Sequence, residues 1–165
     1  MAHDLLARIE HDWRTTRPDL DATPMLTVIS VQRASAYLQT HLERFFAAHD
    51  LTPASFDLLV TLRRSAPPGG LTPGELSGLC AITPPAITKR LDALEALHLI
   101  ERVPHETDRR ATRVRLTRDG RARVDDVLDA HVANEERLLS PLTREERATL
   151  RTLLTRLMDA PEATP

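Results

Sequence analysis

The stretch LTPGELSGLCAITPPAITKRLDALEALHLIERVPHETDRRATRVRLTRDG, residues 71–120, decides the fold. It opens with Thr72 and Glu75 at the spacing of a capping box. There the Thr hydroxyl accepts from a free helix amide, the carboxylate accepts from the cap's own N–H, and Pro73 suits the first helical position. The predicted helix runs through Leu76, Leu79 and Cys80 to a turn at Ala81-Ile82. Thr83-Pro84 starts a second helix at once, with Ile87, Leu91, Leu94 and Leu97 at helical spacing and an end near His98. Two helices joined by so short a turn read as a helix-turn-helix. Ile100-Glu101-Arg102-Val103 and Thr112-Arg113-Val114-Arg115-Leu116 then alternate as strands do. Between them lies a polar tip, His105 to Arg110, ending in the adjacent pair Arg109 and Arg110. A helix-turn-helix followed by a basic two-stranded ribbon is a winged helix, and it predicts binding to double-stranded DNA.

Working outward, the flanks are helical. Leu5, Leu6, Ile9 and Trp13 make a narrow apolar stripe over residues 4–15, broken by Arg17-Pro18-Asp19-Leu20-Asp21. Thr23-Pro24 starts a long helix to about His49, with Val28, Val31, Leu38, Leu42, Phe45 and Phe46 on or near one face. Thr52-Pro53 starts a third, and its Phe56, Leu58, Leu59, Val60 and Leu62 point nearly all round, which predicts deep burial. Ser65-Ala66-Pro67-Pro68-Gly69-Gly70 is a loop. Beyond the ribbon, Thr117-Arg118-Asp119-Gly120 leads into a helix through Val124, Leu128, Val132 and Leu138. A second capping box, Thr143 with Glu146, opens a last helix carrying Leu150, Leu153, Leu154, Leu157 and Met158, and the tail after Asp159 reads as frayed. The expected organisation is a single mainly α chain, 1–165, with a small β-wing. Residues 1–50 form N-terminal helices, 51–120 the winged lobe, and 121–160 helices that pair two copies about a two-fold axis. The leucine content of the ends and the two-fold habit of such readers motivate that pairing.

Composition narrows the classes. The 165 residues hold one cysteine, so no internal disulfide is expected, and no run is apolar enough for a membrane span. With no signal-peptide pattern, the expected location is cytoplasmic. The net charge of −2 hides an asymmetry: residues 83–123 carry ten basic and six acidic side chains, a local balance of +4 that leaves −6 elsewhere. A basic reading surface on an acidic body fits a phosphate-binding partner. Lys89 is the lone lysine among 22 basic residues. His3, His11, His41, His49, His98, His105 and His131 form no tight ligand cluster, so no metal is expected, and neither a cofactor loop nor a nucleophile–base pair is evident. The chain does not read as an enzyme.

On the second helix of the pair, placing Ile87, Leu91 and Leu94 inward turns Pro85, Lys89, Asp92, Ala93 and Ala96 outward, with Ala86 and Thr88 beside them. Near the helix start, Thr83, Pro85, Ala86, Thr88 and Lys89 are the major-groove candidates, because small side chains allow close approach and Lys89 reaches a base or phosphate. At the tip, Arg109 and Arg110 are candidates for the minor groove, with Asp108 as a local ion-pair partner. Arg90 lies on the flank between DNA face and core, open to a ligand contact or to a salt bridge with Glu95 or a neighbouring helix. Asp57 is an acid on an apolar helix and needs a partner there. Cys80, among Leu76, Leu79 and Ile82, reads as a buried inert thiol rather than a sensor.

The motif Asp108-Arg109-Arg110, then Val114-Arg115-Leu116-Thr117-Arg118-Asp119-Gly120, resembles the wing signature of the MarR family of bacterial transcriptional regulators. The resemblance covers nearly the whole chain and implies a winged helix-turn-helix homodimer on a pseudo-palindromic operator. A narrower similarity, carried by Leu5-Leu6-Ala7-Arg8-Ile9 with Asp12-Trp13, Pro24-Met25-Leu26-Thr27, Asp57-Leu58-Leu59 and Arg64-Ser65-Ala66-Pro67-Pro68, is to the urate-responsive subgroup typified by the hypothetical uricase regulator. That subgroup adds an N-terminal helix, and it implies a urate or purine-dione site of Trp13, Asp57, Arg90 and Arg102. One departure is Ser35, where the type carries a histidine, so no pH response is implied. The expectation is a repressor released by urate. The alternatives are a MarR-type regulator of another small aromatic or anionic effector, and a winged-helix interaction module without DNA.

Overall fold

Thr52 shows how directly sequence becomes structure here. Its hydroxyl accepts from the Ser55 amide at 3.0 Å and starts a helix on which Phe56, Leu58, Leu59, Thr61 and Leu62 are all buried. The structure, a computed structural model, describes residues 2–80, 83–104 and 112–160. Its elements are α1 (Ala2–Thr16), α2 (Thr23–Ala47), α3 (Pro53–Ser65), α4 (Pro73–Cys80), α5 (Pro84–Ala96), β1 (Ile100–Pro104), β2 (Thr112–Leu116), α6 (Arg118–Leu138) and α7 (Arg144–Met158). They fall into two compact units, one ending at Ala48 and one starting at His49.

In the first unit α1 packs on α2. No residue of α1 whose side chain is described is fully buried, and Trp13 is half-buried. Along α2 only Phe46 is buried, while Val28 and Tyr37 are more than half exposed. The start of α2 falls at Thr23-Pro24, as the sequence predicts. Thr23 is the first helical residue and Ala22 its cap, and the Thr23 amide donates to the Asp21 carboxylate at 2.9 Å. An ionised acceptor suits the positive end of the helix.

The second unit holds the core. Leu58, Leu59, Leu76, Ile87, Leu91, Leu94, Ile100, Val114, Val124 and Val127 are each at most 2 % exposed. They join α3, α4, α5, α6 and the ribbon into one apolar interior. β1 and β2 are antiparallel, with Ile100 opposite Leu116 and Arg102 opposite Val114. Leu71 adds a short third edge through hydrogen bonds with Val114 of 2.9 and 2.7 Å. Both capping boxes form: the Thr72 amide donates to Glu75 at 2.7 Å, and the Thr143 amide to Glu146 at 2.8 Å. Thr83 has the extended backbone of a cap but makes no side-chain cap bond.

Two apolar expectations fail locally. Leu97 is 57 % exposed because α5 stops at Ala96 and Leu97 is its cap, followed by His98 at φ 57°. Leu79 is 48 % exposed, since the core side of the short α4 is taken by Leu76. The turn at Ala81-Ile82, the tip with His105, Asp108, Arg109 and Arg110, and the last five residues lie outside the described residues.

A tight junction ties the ribbon to α6. Thr117 donates its hydroxyl to the His98 carbonyl at 2.7 Å and accepts from the Gly120 amide at 2.9 Å. Its own amide donates to Leu99 at 3.1 Å. A Cβ on Gly120 would lie 1.7 Å from that same Leu99 carbonyl oxygen. The glycine of the wing signature is therefore required by space. No described helix is long and apolar enough to cross a membrane.

Candidate nucleic-acid interface

The apolar spacing of α5 fixes what the helix shows to solvent. Ile87, Leu91 and Leu94 are buried, which leaves Thr83, Pro85, Thr88 and Lys89 exposed and Ala86 half-buried near the helix start. The small side chains give a low ridge, and Lys89 stands above it as the cation. This is the shape and charge that a recognition helix brings to a major groove. Beside it the ribbon projects from the same unit.

Arg102 joins the two elements. From β1 its guanidinium donates to Asp92 on α5 at 2.5 Å and also to Glu95 on the same helix. The Asp92 carboxylate holds the guanidinium above the usual arginine range, with burial opposing and Glu95 adding to the effect. Glu95, expected as a partner for Arg90, is thus taken by Arg102. Among the described residues no ion pair or side-chain hydrogen bond engages Arg90. Two acids three residues apart on one helix flank were visible in the sequence, but nothing there selected Arg102 over Arg90 to meet them. Two further ties went unforeseen. Arg115 bridges to Glu101 at 2.7 Å across the ribbon, and Arg113 donates to the Gly70 carbonyl at 2.6 Å.

The remaining effector candidates are distributed. Trp13 belongs to the first unit, and Asp57, Arg90 and Arg102 to the second. Asp57 is half-buried, so solvent already relieves part of the charge expected to be trapped. It lies beside Cys80, in a polar seam with Thr61 and Arg64, where the thiol donates to Thr61 at 3.5 Å and Arg64 donates to Thr61 at 3.2 Å. Cys80 is accordingly half-buried beside these polar groups, not fully buried as expected. Burial pushes its thiol up from the ordinary range, with Asp57 adding to the shift, and this disfavours the reactive thiolate at neutral pH. Among the described residues no group of three or more acids, histidines or cysteines could hold a metal.

Comparison with known proteins gives this geometry a context. A profile of the MarR family (MarR_2) matches residues 49–111. The chain is similar to the HTH-type transcriptional regulator PecS of Dickeya dadantii, 38 % identical over 149 residues that make up 90 % of each chain. Among solved structures it is similar to the transcriptional repressor CouR bound to a 23-mer DNA duplex. That likeness has a TM-score of 0.73 at 28 % identity, covering 83 % of this chain and 95 % of the other. It is also similar to BpsR of Bordetella bronchiseptica, whose DNA binding is regulated by 6-hydroxynicotinic acid. There the TM-score is 0.70 at 25 % identity, covering 79 % and 91 % of the two chains.

Proposed function

We propose, because the chain belongs to the MarR family and is a DNA-binding transcriptional regulator of that kind, that it acts as a homodimeric repressor released from its operator by urate or a related purine-dione. The observation that carries the DNA-facing part is the exposed start of α5, with Pro85, Thr88 and Lys89 outward over a buried Ile87, Leu91 and Leu94. In this reading Thr83, Pro85, Ala86, Thr88 and Lys89 enter the major groove, and Arg109 and Arg110 reach the adjacent minor groove from the wing tip. Binding should fall steeply with salt, as phosphate-bound counterions are displaced. Arg110→Ala is expected to lose roughly 1–3 kcal/mol of operator affinity, the range for a contact that reads bases or groove shape. A gel shift on an operator selected from a randomised duplex library measures it, and binding by both Arg109→Ala and Arg110→Ala as tight as the parent's would remove the wing tip from the interface.

The effector part rests on four side chains. A urate anion suits a guanidinium fork, which can donate two parallel hydrogen bonds to its oxygens. Trp13 would supply a flat apolar wall and one donor, and Asp57 an acceptor for a ring N–H. Arg102 is already engaged, so an anion would compete with Asp92 and Glu95 for it, and Arg90, on α5 with those two acids, offers a second cation. Drawing either arginine away disturbs α5 directly. A preference of ~1–3 kcal/mol for the released state is enough to couple ligand to DNA. Urate should therefore quench the single tryptophan in a saturable way, after inner-filter correction, and release DNA. Trp13→Phe and Asp57→Asn should bind operator like the parent while responding weakly. No quenching and no release at millimolar urate would end the urate reading.

A second reading, a different small aromatic anion, is favoured by the likeness to BpsR with its 6-hydroxynicotinic acid. Release of operator by that acid and not by urate would select it.

A further inference from the structure

We propose that Arg102 is a positioning residue for operator recognition: its double ion pair holds the recognition helix at a fixed angle to the wing, so that α5 and the wing tip meet their grooves together. The inference rests on the DNA-binding reading above and needs no effector.

One cation on β1 meets two carboxylates on α5, Asp92 and Glu95, which stand three residues apart and so share one helix flank. Arg102 is largely covered, with 29 % of its side chain exposed, whereas Asp92 keeps 60 % and Glu95 38 %. The guanidinium is thus the fixed centre and the acids reach in to it. A planar fork with several donors can hold two acceptors at once, which a lysine ammonium does less directionally. The other charges near this junction do not substitute for it. Glu101, the neighbour on β1, is paired with Arg115 across the ribbon, and Arg63 is paired with Asp125 at 2.7 Å.

The apolar contacts beneath, through Ile87, Leu91, Leu94 and Ile100, hold the helix against the lobe but carry no direction of their own. The ion pairs supply the direction. A major-groove contact and a minor-groove contact from one lobe must be in register simultaneously, so a tilt of α5 penalises the specific complex. The sliding, sequence-independent complex depends on phosphate charge and tolerates the tilt.

The test uses the full chain without effector, an operator duplex selected by the parent from a randomised library, and a scrambled duplex of equal length. Fold is checked by circular dichroism and thermal melting. Arg102→Ala is expected to weaken operator binding at least about tenfold with little change on the scrambled duplex, and to leave the slope of log affinity against log salt unaltered. A direct phosphate contact would instead lower that slope by about one and weaken both duplexes together, a result that overturns the proposal. In a background of Asp92→Asn with Glu95→Gln, Arg102→Ala should have little further effect on the ratio between the two duplexes. A full additive loss there also overturns it. If Arg102→Ala does not fold, Arg102→Lys decides the matter: a folded protein with a reduced ratio supports positioning, and an unchanged ratio refutes it. Failure of the parent to select any duplex would instead defeat the DNA-binding reading, and the positioning role with it.

Discussion

Gly120→Ala is expected to destabilise the protein by about 3 kcal/mol, at the top of the usual overpacking range. Helix propensity alone argues the other way, since alanine inside a helix is favoured over glycine by up to ~1 kcal/mol. The sign therefore separates the two effects. A Cβ at this position would sit 1.7 Å from the Leu99 carbonyl oxygen and 2.7 Å from its carbon, and both are backbone atoms. A backbone carbonyl cannot swing aside as a long side chain can. To make room, the first turn of α6 must lift off the α5–β1 junction. The Thr117 bonds to His98 and Leu99 are then strained or lost. Gly78→Ala is the control, because nothing lies within 4 Å of its Cβ position and the residue is exposed on α4. Denaturant melts should show Gly78→Ala neutral or more stable and Gly120→Ala far less stable. Equal stability of Gly120→Ala and the parent would mean that the close approach is not present in solution.

The second large effect is expected from charging the uncovered face of α7. Leu153 is 53 % exposed and Leu157 61 %, and no residue of that helix is buried within its own chain. Leu153→Glu with Leu157→Glu should thus leave the single chain folded, having removed no internal contact of weight. In a dimer that buries this face, four carboxylates would be forced into an apolar contact without partners. Light scattering at micromolar concentration should show the mass fall to that of one chain. Operator binding should drop on the order of 10²-fold or more, because two linked half-site readers gain that much over one. A variant that keeps the dimer mass would show that α7 is not the pairing surface.

Much of this was legible because the deciding signals are local. Capping boxes at Thr72 and Thr143, proline at helix starts, and the alternation of the ribbon each act within four residues, so the chain declares them without help from tertiary contacts. The inward face of α5 followed from period alone, and Ile87, Leu91 and Leu94 are buried as that period requires. What sequence could not supply was the choice among chemically equal partners. Glu95 could have met Arg90 or Arg102, and it is the folding of β1 against α5 that brings Arg102 to it. Likewise Cys80 ends a helix of mostly apolar residues, yet the polar seam of Asp57, Thr61 and Arg64 on a different helix sets its surroundings. Leu97 followed the apolar period but fell one residue beyond the helix, where the period no longer means burial.

The position of Lys89 has a consequence for how the protein meets reactive chemistry. Apart from it the chain's basic side chains are arginines, so reagents and enzymes that act on lysine amines have a single side-chain target, on the exposed face of α5. Acetylation there would erase one positive charge at the reading surface and nowhere else. By the same token, formaldehyde or an aldehyde–borane pair reports occupancy of that face directly. Bound DNA would shield that one lysine amine, and no background from other lysines would blur the signal.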